Sequence, residues 1–68
     1  MTGWDRLEAE AAGRGLTPWC REHADGRWGA WAFDEEGELR LQVLDFDSPQ
    51  DAASSLADEL HAEPDWSA

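Results

Sequence analysis

Cys20 and His23 stand in a CxxH spacing, and two kinds of chemistry use such a pair. A tetrahedral zinc ion would need His61 and a carboxylate beside them, yet structural zinc sites bring a second close ligand pair and this chain has none. A nucleophilic thiolate with a histidine base would need a third group to orient the base, an oxyanion hole, and a deeper pocket than so short a chain builds. Asp45, Asp47 and Asp51 start like a calcium loop and then break its spacing, because Pro49 and Gln50 fall where the loop needs an oxygen ligand and its glycine. No phosphate-cradling glycine motif, nucleophile elbow or HExxH occurs. The expectation is a binding protein with no cofactor and no metal, not an enzyme.

Charge supplies the stronger signal. Sixteen Asp and Glu face five Arg and no Lys, for a formal charge of −11 over 68 residues. Solubility of a small domain asks only for a net charge of magnitude about 2–8, and the excess adds self-repulsion without helping the fold. The carboxylates fall into four regions: Glu8 and Glu10; Asp34, Glu35, Glu36 and Glu38; Asp45, Asp47 and Asp51; and Asp58, Glu59, Glu63 and Asp65. Residues four apart on a helix lie about 5–6 Å apart at Cβ, close to the spacing of successive phosphates along a DNA strand. Such a surface can imitate a nucleic-acid backbone and fill a Lys- and Arg-lined groove made for phosphate. The same charge opposes direct binding of nucleic acid or of an anionic membrane. Two other sources of acidity stay open: a charge run is usually a solvated face, and GC-rich coding or a halophilic habit also yields acidic, Lys-poor chains.

The five tryptophans are the second signal. Over Trp28 to Phe33 the strand period of two sends Trp28 to one face and Trp31 with Phe33 to the other. Whichever face the helices leave bare presents a Trp beside acids, the usual composition of an interface anchor. Trp4 and Trp19 are expected in the core, where each supplies bulk.

These side chains need a frame. Trp4, Leu7 and Ala11 recur at helical spacing behind Thr2 and Asp5, which predicts a helix from about Gly3 to Ala12, ended by Gly13-Arg14-Gly15. Leu16 to Glu22 reads as a short strand that Pro18 confines to an edge. Asp25-Gly26 fits a type I′ hairpin turn, Trp28 to Phe33 the next strand, Asp34 to Gly37 a second turn, and Glu38 to Phe46 a third strand with Leu39, Leu41 and Val43 on one face. Ser48-Pro49-Gln50-Asp51 starts a helix running to about His61, with Ala52, Ala53, Leu56, Ala57 and Leu60 as its apolar stripe. The fold class is α+β, an α-β-β-β-α chain whose antiparallel meander of two or three strands carries both helices on one face. Residues 1–62 form the one domain and residues 63–68 a tail. Cys20 is the only cysteine, no window approaches the ~20 apolar residues of a membrane span, and the start lacks a basic and apolar leader, so a cytoplasmic monomer is expected.

In size, in the uncompensated acids along Asp34 to Glu38 and Asp45 to Glu63, and in its αβ layout, the chain resembles the phage-encoded anti-CRISPR proteins that act as DNA mimics. The likeness spans the whole chain and rests on no motif. It implies binding to a CRISPR effector, of type I, at the basic channel that reads the motif flanking the target or receives duplex DNA. The charge argument supplies the partner-binding residues: Asp34, Glu35, Glu36, Glu38, Asp45, Asp47, Asp51, Asp58 and Glu59, with Trp28 or Trp31 as apolar anchor. The alternative is a small interaction module, antitoxin-like or regulatory, acting through exposed Trp.

Overall fold

The computed structural model describes residues 3–62. The Thr2 cap and the tail from Glu63 to Ala68 lie outside them. The chain runs α1 (Gly3–Ala12), β1 (Thr17–Ala24), β2 (Arg27–Phe33), β3 (Leu39–Phe46) and α2 (Pro49–Ala62). The strands form an antiparallel meander with β2 at the centre, and both helices pack on one face of it, in the α-β-β-β-α arrangement the periodicities predict.

Each helix begins and ends for a local reason. Gly15 takes the left-handed conformation (φ 71°) after α1, and the Leu16 N–H returns to the Ala11 carbonyl at 2.9 Å, which satisfies a helix-end acceptor. At the start of α2 the Ser48 hydroxyl accepts the Asp51 N–H at 3.1 Å, with Pro49 in the first turn where its missing donor costs nothing. The helices then meet closely. A Cβ on Gly3 would stand 2.5 Å from the Gln50 carbonyl oxygen, so only glycine fits there. The Gly3 N–H donates to Gln50 Oε1, Arg6 donates to Ser54 Oγ and pairs with Asp58, and His61 Nδ1 meets Glu10 Oε1 at 3.2 Å.

Between helices and sheet sits a core of small side chains. Leu7, Ala11, Ala52, Ala53, Leu56, Ala57 and Leu60 bury fully against Ala30 and Ala32 of β2. Trp4, Cys20, Trp28, Leu41, Val43 and Phe46 are half-buried around it.

Three irregularities in the ladder decide which side chains reach which face. The first is at His23. Ala24 pairs with Arg27, but Glu22 pairs with Trp28, so His23 is an extra residue in β1. Unbroken pairing from the turn would set Trp19 opposite Ala32, on the helix side; the bulge moves the strand by one residue and sets it opposite Trp31. Trp19 is therefore 51% exposed on the far face, contrary to the core position expected of it, while Trp4 does pack in the core. The turn itself also differs from expectation: Gly26 has φ 71° but Asp25 keeps a negative φ, so it is not type I′.

The second irregularity lies in β3, where Leu41 pairs with Ala32 but Leu39 with Phe33. Arg40 is the extra residue. It turns Leu39 away from Leu41 and Val43, with which simple alternation groups it, and onto the face of Phe33. The third sets Leu44 and Asp45 together opposite Gly29, and Asp45 adopts φ 68°, an uncommon backbone for a residue with a side chain.

Candidate binding surface

With both helices on one side, no other described element covers the opposite side of the sheet. Thr17, Trp19 and Arg21 of β1, Gly29, Trp31 and Phe33 of β2, and Leu39, Gln42 and Leu44 of β3 face it, paired across the strands as Thr17 with Phe33, Trp19 with Trp31, Trp31 with Gln42 and Phe33 with Leu39. Trp19, Leu39 and Leu44 are 51%, 46% and 40% exposed, and these three are the strongly exposed large apolar side chains among the described residues. All three lie on this one face. Single exposed apolar residues are ordinary, whereas a contiguous set marks a surface made to be covered.

The face is held in shape by its own contacts. Trp19 and Phe33 meet edge to face, with centroids 6.4 Å apart and planes at 89°. The Arg21 guanidinium lies 5.5 Å from the Trp19 centroid. Trp31 donates its indole N–H to Gln42 Oε1 at 3.0 Å, and the ring runs back over Gly29. A Cβ on Gly29 would meet Trp31 Cη2 at 2.9 Å, Leu44 Cδ2 at 2.8 Å and the Val43 carbonyl oxygen at 3.0 Å, so the bare backbone there is what lets the indole lie down. His23 reaches across the end of the sheet to Asp45, its Nε2 accepting the Asp45 N–H at 3.2 Å and lying 3.3 Å from Oδ1.

The acids predicted as the site do not form one surface. They gather at the two ends of β3, separated by about 23 Å of extended strand. At one end Asp34, Glu35, Glu36 and Glu38 surround an open cleft of about 370 Å³ shared with Arg14, Gly15, Leu16 and Arg40. Asp34 is a turn builder here: its Oδ1 accepts the N–H groups of Glu36 and Glu38, both at 2.9 Å, and Oδ2 lies 3.6 Å from Arg40 Nε. At the other end Asp45, Asp47, Asp51 and Asp58 line a groove with Arg27, Phe46, Ser54 and Ser55. Asp51 and Asp58 do share a helix face, as their spacing requires, but Arg6 pairs with Asp58 and Arg27 with Asp47 (3.4 Å). Glu59, exposed one step along α2, lies outside that groove. Glu35, Glu36, Glu38, Asp51 and Glu59 take part in none of the ion pairs among the described residues.

The two candidate anchors separate as well. Trp28 packs against the core, and Trp31 lies on the open face. Phe33 joins Trp31 there, as the strand period pairs them, and so do Trp19, Leu39 and Leu44, which sequence reasoning had not assigned to a surface.

Cys20 and His23 do not converge. Cys20 turns toward the helices, its Sγ 3.4 Å from the Pro49 carbonyl oxygen, while His23 crosses to β3. Partial burial raises the Cys20 thiol above its ordinary pKa, which favours the protonated, unreactive form. Among the described residues no three His, Cys, Asp or Glu side chains gather as a metal site, and no helix is long and apolar enough to cross a membrane.

Set against protein-family models, curated proteins and solved structures, the chain matches none.

Proposed function

We propose that this chain is a protein-interaction module that acts by binding rather than by catalysis, in the cytoplasm, and that the open face of its sheet docks on a partner with a basic rim. The observation that carries this reading is the gathering of Trp19, Trp31, Phe33, Leu39 and Leu44 on the one face that no helix covers. Large aromatic side chains at the centre of a patch and charge at its edge is how protein interfaces divide affinity from specificity. The charge selects the partner. At −11 a second copy of this chain is repelled, and a basic surface is attracted.

A second reading, DNA mimicry of the anti-CRISPR kind against a type I effector, is favoured by a different observation: four carboxylates, Asp45, Asp47, Asp51 and Asp58, line a single groove between β3 and α2. Two of the four are already offset by Arg27 and Arg6, which is why the sheet face is preferred.

One set of measurements separates the two. Partners captured on the immobilised protein, together with purified type I effector complexes, are re-measured as purified components against two double variants, with and without duplex DNA, at low and high salt. A partner lost with Trp19→Ser plus Leu44→Ser and retained with Asp47→Asn plus Asp51→Asn supports the docking face. The reverse pattern, relieved by DNA and by salt, transfers the function to the acidic groove. Binding indifferent to both pairs overturns both readings.

A further inference from the structure

At one end of the open face the aromatic patch runs directly into the acidic turn. Trp19 and Phe33, set at right angles, form two walls of a cleft of about 360 Å³ whose remaining lining is Thr17, Asp34, Glu35 and Gly37. The mouth beside Gly37 is clear, since nothing stands within 4 Å of where a Cβ would be. Apolar surface dominates the lining, and the acidic residues Asp34 and Glu35 stand along one edge.

From this cleft we infer the chemistry of the anchor that the docking face receives: an arginine side chain from a basic segment of the partner protein, its methylenes against Trp19 and Phe33 and its guanidinium at Glu35. The inference rests on the docking-face reading and adds the identity of the anchoring group.

Three features select that occupant. An aliphatic stem fits the aromatic walls, and the charged head at its end meets the carboxylate edge. The guanidinium is planar and weakly hydrated, so it stacks on aromatic rings and bonds a carboxylate through two parallel N–H groups; a lysine ammonium does neither as well. The chain's own Arg21 lies over Trp19, with its guanidinium carbon 5.5 Å from the ring centroid, an example of an arginine packed on this ring. Of the two acids, Asp34 is held by the turn N–H groups and by Arg40, whereas Glu35 is exposed and in none of the ion pairs among the described residues, so its carboxylate, whose Oε1 lies beside Gly15, is the one that can swing to meet a guanidinium.

The test is a two-dimensional amide and indole NMR titration of the whole chain with three short acetylated peptides that differ only in carrying two arginines, two lysines or two citrullines. Citrulline keeps the shape and removes the charge. With the arginine peptide, the Trp19 indole N–H and the Thr17 and Gly37 amides shift first. The lysine peptide binds several-fold more weakly, and the citrulline peptide leaves those signals in place.

Glu35→Gln weakens the arginine peptide on the order of tenfold, and Trp19→Ala abolishes the shift at Gly37. Glu59→Gln removes the same charge from an exposed position on α2 and is close to silent. Both acids are exposed, so neither glutamine variant endangers the fold. Equal weakening by Glu35→Gln and Glu59→Gln, or equal binding of the arginine and citrulline peptides, overturns the inference. Shifts at Trp31 and Leu44 with Trp19 and Gly37 unmoved also overturn the cleft, while leaving the docking face itself standing.

Discussion

The two faces of this sheet are both apolar, and they differ at the centre. Where the helices cover it, the central strand offers Ala30 and Ala32 beside Trp28, and α2 answers with Ala52, Ala53 and Ala57 between Leu56 and Leu60. Where no described element covers it, the same strand offers Trp31 and Phe33, flanked by Trp19, Leu39 and Leu44. A short chain with five tryptophans invites the view that its aromatics serve as core bulk. Among the described residues, the distribution shows that only half of them do. Trp4, Trp28 and Phe46 pack around the core on the covered side, while Trp19, Trp31 and Phe33 lie on the open one, so the aromatics are shared between a side that carries stability and a side that the proposed docking would use.

That division predicts unequal responses to substitution. Leu56→Ala, on the covered side, leaves a cavity worth about 2–5 kcal/mol, comparable to the roughly 3–5 kcal/mol such a domain has in all. Loss of the cooperative transition in urea, followed by far-ultraviolet circular dichroism, is the expected result. Gly29→Ala comes next, at about 1–3 kcal/mol, because its Cβ collides with Trp31, Leu44 and the Val43 carbonyl at once. The Trp31 indole N–H resonance should move with it as the ring is lifted from the sheet. Ser48→Ala removes the cap of α2 for about 1 kcal/mol and tests the covered side from its edge. Trp19→Ala, in spite of its size, should shift the midpoint by less than about 1 kcal/mol while removing partner binding. A Trp19→Ala loss as large as that of Leu56→Ala would break the comparison.

The smallest expected effect concerns Cys20. Its thiol is raised by burial, so folding holds the proton more tightly than the unfolded chain does. That contribution is complete below the unfolded thiol's pKa and is lost as pH rises through the alkaline range toward the folded value. Alkylation by iodoacetamide at pH 8 should accordingly be slower in buffer than in urea.

Most of the frame was legible in the sequence because helices announce themselves twice, by period and by cap. Ser48 with Pro49 and the stripe from Ala52 to Leu60 fix α2 almost to the residue, and Leu7, Ala11 and the glycines after Ala12 do the same for α1. Strand faces were harder, for one physical reason: period two gives the right face only while pairing is unbroken. Trp19 and Leu39 are misplaced by single extra residues, His23 and Arg40, that carry no turn signal of their own. Trp31 and Phe33 were legible as a pair because no bulge separates them. The acids could be grouped by sequence but not located, since β3 holds Asp34 to Glu38 and Asp45 to Asp51 at its opposite ends. The arginines that offset Asp47 and Asp58 come from distant strands and helices.

The clasp between α1 and α2 has a consequence in time. Its bonds, from Gly3 to Gln50, from Arg6 to Ser54 and Asp58, and from Glu10 to His61, join residues 47 to 52 positions apart. Contacts of such sequence separation are the kind that slow folding, and the prediction is that α2 docks after the meander has formed. Of the five elements, α2 is also the last to be synthesised. A meander without Leu56 and Leu60 packed on it would show two apolar faces, with Trp28, Leu41, Val43 and Phe46 on one and Trp19, Trp31 and Phe33 on the other, and like negative charge would then oppose the pairing of such chains through either.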